Sequence, residues 1–178
     1  MRIVLDACVL YPTIMREVLL GAASEGAFTP LWSARVLEEW RRAAAKHGEA
    51  LAQISGVEIA LLRANWPKAE IPESISDDLW LPDENDIHVL ATAIAGSADA
   101  IITVNTKDFP TRILSNHGIL RLNPDQFLVE FAQENPTAMH RVGQKTKQAA
   151  ETHSGEAKDI RKLLKRTGLP RLGKLLST

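Results

Sequence analysis

Short apolar segments with strand character alternate along this chain with longer segments of helical periodicity. Residues 3–5 and 100–104 are the clearest strand segments, and amphipathic helices lie between them. Consecutive strands separated by helices pair in parallel through helical crossovers. The sequence therefore predicts an α/β fold, a three-layer α/β/α sandwich in which helices cover both faces of a parallel sheet.

The remaining elements follow the same order. Further extended segments are predicted at residues 28–32 and 119–122. Helices are predicted at about residues 12–26, 33–47, 49–66, 83–96 and from residue 124 onward. From about residue 135 the pattern is helical only. We therefore expect a first domain over residues 1–134 and a C-terminal helical extension over residues 135–178.

Composition excludes several classes of site. Cys8 is the sole cysteine, so neither a disulfide framework nor a cysteine-based zinc site is expected. The five histidines show no paired ligand spacing, and no glycine-rich phosphate loop of a nucleotide-binding enzyme occurs. No uncharged apolar run approaches the ~18 residues of a membrane span, and no signal peptide is visible. The sequence predicts a cytoplasmic protein that does not contact a membrane.

Charge is distributed unevenly along the chain. Residues 1–140 hold 11 Lys and Arg against 19 Asp and Glu, whereas residues 141–178 hold 10 against 3. An acidic body with a basic tail is typical of chains that meet nucleic acid or an acidic partner, although a solvated basic helix has the same composition. The candidate nucleic-acid-binding residues of the tail are Lys158, Arg161, Lys162, Lys165 and Arg166.

Two polar residues directly follow the predicted strands. Asp6 comes after residues 3–5, and Asn105 comes after residues 100–104. In an open parallel sheet the ligand crevice lies beyond the carboxyl ends of the strands, so both side chains should line one crevice. For Asp6 alone, an ordinary turn at the end of a strand is an equal alternative. Asp99 precedes its strand, at the opposite edge of the sheet, and is excluded from the site.

Helical periodicity selects one acid in the helix predicted at residues 33–47. Glu39 flanks the apolar stripe of this helix, whereas Glu38 projects almost opposite the stripe, within reach of Arg41 and Arg42. Glu38 is therefore predicted to be a surface residue and Glu39 a candidate ligand. The alternative for Glu39 is a boundary glutamate without a role.

A second acid lies in the helix predicted at residues 83–96. Asp86 projects from the apolar stripe in the first turn, where a carboxylate is costly unless it is paired or binds a metal. The alternative is a capping box formed with Asp83, and the two roles are compatible. Asp108 is open to interpretation as a loop acid that caps the next element. Asp77 and Asp78 are interpreted as solvated loop charges.

Oxygen ligands that converge from different elements favour a hard cation, Mg²⁺ or Mn²⁺, over zinc. Magnesium usually binds one or two carboxylates and completes its octahedron with water and substrate phosphate. A phosphodiesterase needs this arrangement, because the metal polarises a phosphoryl oxygen and activates water for attack. The acids therefore indicate metal-dependent hydrolysis of a phosphodiester.

Four segments in this order resemble the PIN-domain family of metal-dependent ribonucleases. They are residues 3–12 (Ile-Val-Leu-Asp-Ala-Cys-Val-Leu-Tyr-Pro) and residues 36–40, 81–93 and 98–105. The resemblance covers about residues 1–130 and implies that Asp6, Glu39 and Asp86 are catalytic acids. It also implies that Thr103 is a polar support beside them.

The chain departs from the family pattern at one position. Asn105 stands where the family usually has its fourth aspartate. Asp108 resembles the substitute found in a subgroup that ends this strand with Asn-x-x-Asp-Phe. The resemblance thus implies Asp6, Asp86 and Asp108 as metal ligands, with Asn105 in a supporting role.

The resemblance implies an endoribonuclease that cleaves single-stranded or looped RNA by a metal-activated water. Small bacterial members of the family are often VapC-like toxins of type II toxin–antitoxin pairs, which implies an antitoxin partner and a homodimer. The C-terminal extension resembles the helical extension of some longer toxins.

Two other functions are compatible with the sequence. An α/β phosphohydrolase would use Asp6 as its nucleophile, but the second aspartate usual two residues later is here Cys8. Alternatively, the fold serves as a non-catalytic module that binds RNA or a partner, with a metal site degraded at Asn105. Metal-dependent cleavage distinguishes the nuclease from this binding module.

Overall fold

The computed structural model describes residues 1–74 and 78–177, so Asp77 lies outside the described residues. The chain forms two compact units. The first comprises Met1–Tyr11 and Thr29–Arg121, and the second comprises Pro12–Phe28 and Leu122–Thr178. The second unit thus takes in a segment close to the N-terminus as well as the C-terminal helices. The domain boundary predicted after residue 134 stays a prediction.

Four short strands form one sheet in the order β2-β1-β3-β4. They are β1 (Arg2–Leu5), β2 (Thr29–Leu31), β3 (Ala100–Ile102) and β4 (Leu120–Leu122). Strand β1 pairs in parallel with β2 and with β3, which places Val4 opposite both Leu31 and Ile101. Continuous burial of residues 3–5 and 100–102 is typical of central strands covered on both faces. The predicted α/β class with a parallel sheet is confirmed.

The first unit contains five helices among its described residues. They are α1 (Ala7–Leu10), α3 (Ala34–Ala45), α4 (Glu49–Asn65), α5 (Ile87–Ala95) and α6 (Thr111–Asn116). Helix α5 packs against β1 and β3. Ser33 caps α3 as predicted, its hydroxyl accepting from the amide of Val36 at 3.3 Å. The N-terminus of α5, helix α3 and the end of β1 therefore belong to the same unit.

The second unit is entirely helical except for the end of β4. Its helices are α2 (Thr13–Ser24), α7 (Pro124–Glu134), α8 (Pro136–Ser154), α9 (Ile160–Arg166) and α10 (Pro170–Leu175). Helix α2 packs against α7 and α8, and α10 packs against α7 and α9. Leu164, Leu169 and Leu172 are fully buried there, so the C-terminal helices have an apolar face. Among residues 1–74 and 78–177, no helix is long and apolar enough to cross a membrane.

The buried carboxylate of Asp125 joins α7 to α10. Its two oxygens accept from the backbone amides of Arg171 and Leu172, both at 3.0 Å. These amides lie in the first turn of α10, where helix N–H groups have no partner within the helix. The contact therefore satisfies two donors that burial would otherwise leave unpaired.

Candidate metal centre

Asp6 lies at the carboxyl end of β1 and is the N-cap residue of α1. Its side chain is only 6% exposed. The Oδ2 atom accepts from the Thr103 hydroxyl at 2.7 Å and from the Cys8 thiol at 3.1 Å. No hydrogen bond to Oδ1 is seen among the described residues. Two donors thus fix the orientation of the carboxylate and leave one oxygen available to a ligand.

Burial and the charge of Asp6 act on the thiol beside it. Desolvation, together with the neighbouring Asp6 carboxylate, raises the pKa of Cys8 to about 12. The sulfur therefore stays protonated at neutral pH. As a thiol it donates to Asp6 rather than competing with it for a cation.

Three further acids converge around the start of α5. A 3-10 turn, Glu84–Asp86, precedes this helix, and Asp86 is its N-cap residue. Carboxylate oxygens of Asp83, Asp86 and Asp108 all lie within 4.8 Å of one another. Asp83 also caps the 3-10 turn, accepting from the amide of Asn85 at 2.9 Å. Asp83 thus caps this turn, but Asp86 makes no side-chain capping bond, so the predicted capping box is not formed.

The electrostatics of Asp86 show that the acids act on one another. The pKa of Asp86 is raised to about 6. Burial is the largest cause, and the charges of Asp6, Asp83, Asp108 and Glu39 add to it. Among the described residues, none of Asp6, Asp83, Asp86 and Asp108 forms an ion pair with Lys or Arg. The first unit therefore holds a concentration of negative charge that its own cations do not compensate.

Asn105 connects two of these acids instead of adding a further charge. Its Nδ2 donates to Oδ2 of Asp86 at 3.1 Å, and its Oδ1 accepts from the backbone amide of Asp108 at 3.4 Å. Its own amide donates to the Thr103 hydroxyl at 3.0 Å. An aspartate in this position could not donate to Asp86. The asparagine thus holds together residues that would otherwise repel one another.

Glu38 and Glu39 lie on different faces of α3, as the helical periodicity predicts. Glu38 accepts from Arg41 at 2.7 Å and from Arg42 at 3.0 Å, which confirms that it is a surface residue. Glu39 is 30% exposed, and its Oε1 lies 2.7 Å from Nε2 of His88. It therefore has a specific buried partner.

Asp99 lies outside the cluster, as expected. Its carboxylate accepts from the backbone amide of Arg2 at 2.6 Å, at the amino end of β1. The basic residues of the tail lie in the second unit. Arg161, Lys162, Lys165 and Arg166 are exposed on α9, whereas the ammonium of Lys158 lies 3.0 Å from Glu156.

The donor set suits a hard cation. Carboxylate and amide oxygens are the ligands that Mg²⁺ and Mn²⁺ prefer, and the partly buried, uncompensated carboxylates gain most from a divalent ion. Asp83, Asp86 and Asp108, whose carboxylate oxygens lie within 4.8 Å of one another, could hold it. Among the described residues, Asp6 and Glu39 do not belong to this group, although their charges raise the pKa of Asp86. Asp83 is the acid that the sequence reasoning missed as a possible ligand. The sequence contained an indication of this role, because Asp83 lies one helical turn before Asp86. The sequence analysis interpreted Asp83 only as a capping residue.

Comparison with known proteins gives two findings. The model of the PIN domain family matches residues 2–107. A segment of 45 residues is 44% identical to the protein named "Putative ribonuclease VapC50" from Mycobacterium tuberculosis (strain ATCC 25618 / H37Rv). That match covers 25% of this chain and 27% of the relative. No solved structure matches the chain significantly.

Proposed function

The chain belongs to the PIN domain family, and from this premise we propose that it is a metal-dependent endoribonuclease that cleaves single-stranded or looped RNA. The observation that carries the proposal is a group of acids from four separate parts of the first unit. Their charges raise the pKa of Asp86. Structural carboxylates are usually paired with cations, whereas Asp6, Asp83, Asp86 and Asp108 have no Lys or Arg partner among the described residues.

The chain's own residues prepare this site for a phosphodiester. Without a cation the acids would repel an RNA phosphate. Thr103 and Cys8 hold one oxygen of Asp6, and Asn105 holds one oxygen of Asp86. These bonds limit rotation of the carboxylates, which lowers the entropy lost on binding. When bound, Mg²⁺ or Mn²⁺ supplies charge neutralisation on the phosphate and activation of water.

The partners proposed for the chain follow from its family. The relative with which it shares a short segment is named "Putative ribonuclease VapC50", and the sequence resembles VapC-like toxins. We therefore propose that this chain is the toxin of a toxin–antitoxin pair in the cytoplasm, with a cognate antitoxin and a homodimeric state. Copurification with the product of a small adjacent gene tests this part of the proposal, and a chain that is harmless on expression alone would contradict it.

Helix α9 supplies a second surface suited to RNA. Arg161, Lys162, Lys165 and Arg166 are exposed, and none of them forms an ion pair with another described residue. Unpaired cations on one short helix attract phosphates without reading sequence. They would hold RNA that the acidic first unit repels.

Cleavage of a labelled single-stranded RNA tests the catalytic proposal. We expect cleavage with Mg²⁺ or Mn²⁺ and none with EDTA. Asp6→Asn removes one charge from the site at nearly constant volume and should abolish most activity. The matched control is Asp78→Asn, which removes the same charge from an exposed loop position. Full activity in EDTA would rule out the metal mechanism.

A non-catalytic binding module is the second candidate, because Asn105 replaces an acid of the family pattern. It predicts RNA binding that is independent of divalent cations and no cleavage under any condition. The hydrogen bonds from Asn105 to Asp86 and from the Asp108 amide to Asn105 favour the nuclease, since they organise the remaining acids.

Salt dependence tests the basic surface. Replacing Arg161, Lys165 and Arg166 together by Gln should weaken RNA binding, and each lost phosphate contact should flatten the salt dependence by roughly one unit of slope. Lys147→Gln is the control, since its ammonium already lies 3.7 Å from Glu151. An unchanged slope in the triple variant would rule out the RNA role and favour an acidic antitoxin segment as the occupant.

A further inference from the structure

His88 contacts Glu39, one of the acids that raise the pKa of Asp86, although the sequence analysis assigned it no role. It follows Asp86 by two residues on α5, and its side chain is only 7% exposed. Its Nε2 atom lies 2.7 Å from Oε1 of Glu39, which belongs to α3. The contact therefore joins two helices that each contribute an acid to the cluster.

The chemistry of the two groups determines which atom donates. An ionised carboxylate accepts only, so Nε2 must carry the proton that forms this hydrogen bond. In the neutral imidazole the other nitrogen, Nδ1, then carries a lone pair. Nδ1 of His88 is buried and has no hydrogen-bond partner among the described residues. The ring is therefore held by one polar contact, the bond to Glu39.

Packing alone does not account for a histidine at this position. A buried nitrogen without a partner destabilises the folded state, and an apolar side chain of similar size would avoid that cost. Buried polar atoms without partners in a folded protein call for another reason for their presence. The bond to Glu39 is the feature of His88 that an apolar side chain could not reproduce.

The partners of Glu39 leave one of its oxygens available. The imidazole of His88 lies against Oε1, and Nε of Arg35 is 3.9 Å from the same oxygen. No contact to Oε2 is seen in the described part of the chain. Metal-binding carboxylates are commonly oriented by a neighbouring hydrogen-bond donor, and loss of that donor weakens metal binding.

We propose that His88 is a positioning residue that orients Glu39, by donating from Nε2 to Oε1, so that Oε2 can bind the divalent cation. The inference rests on the proposed metal site. His88 does not touch the cation or the RNA and acts only through Glu39. It also couples α3 to α5, so that Glu39 and Asp86 keep a fixed relation.

Mn²⁺ binding, followed through the EPR signal of the free ion, tests this role in the full chain. His88→Leu should weaken binding by about 10-fold, the lower range for loss of such a donor. His88→Gln should recover most of the affinity, because its amide nitrogen can donate to Glu39. In a Glu39→Gln background, His88→Leu should cause no further loss, whereas a general structural role would give additive losses. His117→Leu, at an exposed position, is the matched control.

Thermal unfolding in EDTA separates orientation from folding. His88→Leu should unfold at the same temperature as the wild type or higher, because the unpaired Nδ1 is removed. Wild-type affinity in the Leu variant, or additive losses with Glu39→Gln, would overturn the inference. A wild-type chain that binds no Mn²⁺ would contradict the proposed function itself. Nitrogen-15 spectra give a test without metal: the metal-free protein should show the Nε2–H tautomer of His88, and the Nδ1–H tautomer would overturn the inference.

Discussion

Replacing Asp86 by asparagine removes a charge from the centre of the acidic cluster. Burial and the neighbouring acids raise the pKa of this carboxyl from 3.8 to about 6. The unfolded chain therefore releases the proton near pH 4, whereas the folded chain keeps it to about pH 6. Between these values the folded state binds more protons, so the free energy of unfolding falls as pH rises and stays lower above pH 6.

The shift sets the size of the effect. At 1.36 kcal/mol per pKa unit, the shift lowers the free energy of unfolding above pH 6 by at most about 3 kcal/mol. Because Asp86 is only half-buried, screening by solvent reduces the expected loss to about 1 kcal/mol. Asp86→Asn cannot ionise, so in EDTA at pH 8 it should be more stable than the wild type by about 1 kcal/mol. For a chain of this size that raises Tm by about 2–4 °C.

Thermal unfolding followed by circular dichroism between pH 4 and pH 8 measures this difference. The gain from Asp86→Asn should vanish near pH 4, where the wild-type carboxyl is protonated. Mn²⁺ should raise the Tm of the wild type by mass action and leave that of Asp86→Asn nearly unchanged. Asp78→Asn, at an exposed loop position, should show no gain. An Asp86→Asn variant that is less stable than the wild type at pH 8 would refute the reasoning.

Two further predictions concern single residues. Asp108→Asn should reduce RNA cleavage more than Asn105→Ala, because Asp108 supplies a charged ligand while Asn105 supplies neutral hydrogen bonds. Equal losses of cleavage would contradict this difference between the two residues. Asp125→Ala should lower the free energy of unfolding by about 1–3 kcal/mol in urea denaturation, because the buried amides of Arg171 and Leu172 lose their acceptor. Asp125→Asn keeps one acceptor oxygen and should cost less.

The central strands and the acids that follow them could be predicted because local pattern determines them. Residues 3–5 and 100–102 form continuous apolar runs, and parallel pairing brings their carboxyl ends to one edge. Helical periodicity likewise separated Glu38 from Glu39, since only one face of α3 is buried. Such features depend on spacing along the chain, which the sequence contains.

Two short helices were not predicted. Helices α1 and α6 span four and six residues, too few to show a period of 3.6. Helical periodicity places Ile94 on the apolar stripe of α5, but its side chain is 42% exposed. The 3-10 turn before α5 also moved Asp86 from the first helical turn to the N-cap.

Contacts between distant residues also escaped prediction. His88 and Glu39 lie 49 positions apart, and nothing in either helix indicates that the other faces it. The second unit shows the same limit. It joins Pro12–Phe28 to Leu122–Thr178, two segments far apart in the chain whose association no local pattern indicates. Truncation after residue 140 would remove the buried Leu164 and Leu172 themselves and uncover α7, against which α10 packs. Substitutions on α9 are therefore the cleaner test of the basic surface.

The position of a bound cation tests the proposed metal centre most directly. An anomalous difference map from a crystal grown with Mn²⁺ should show a peak bound by oxygens of Asp86 and Asp6 or Asp108, at roughly 2.1 Å. Oε2 of Glu39 should lie within ligand distance of this peak, with Oε1 still on His88. A map without a peak at these acids, from protein that cleaves RNA in the same Mn²⁺ buffer, would contradict the assignment of the site.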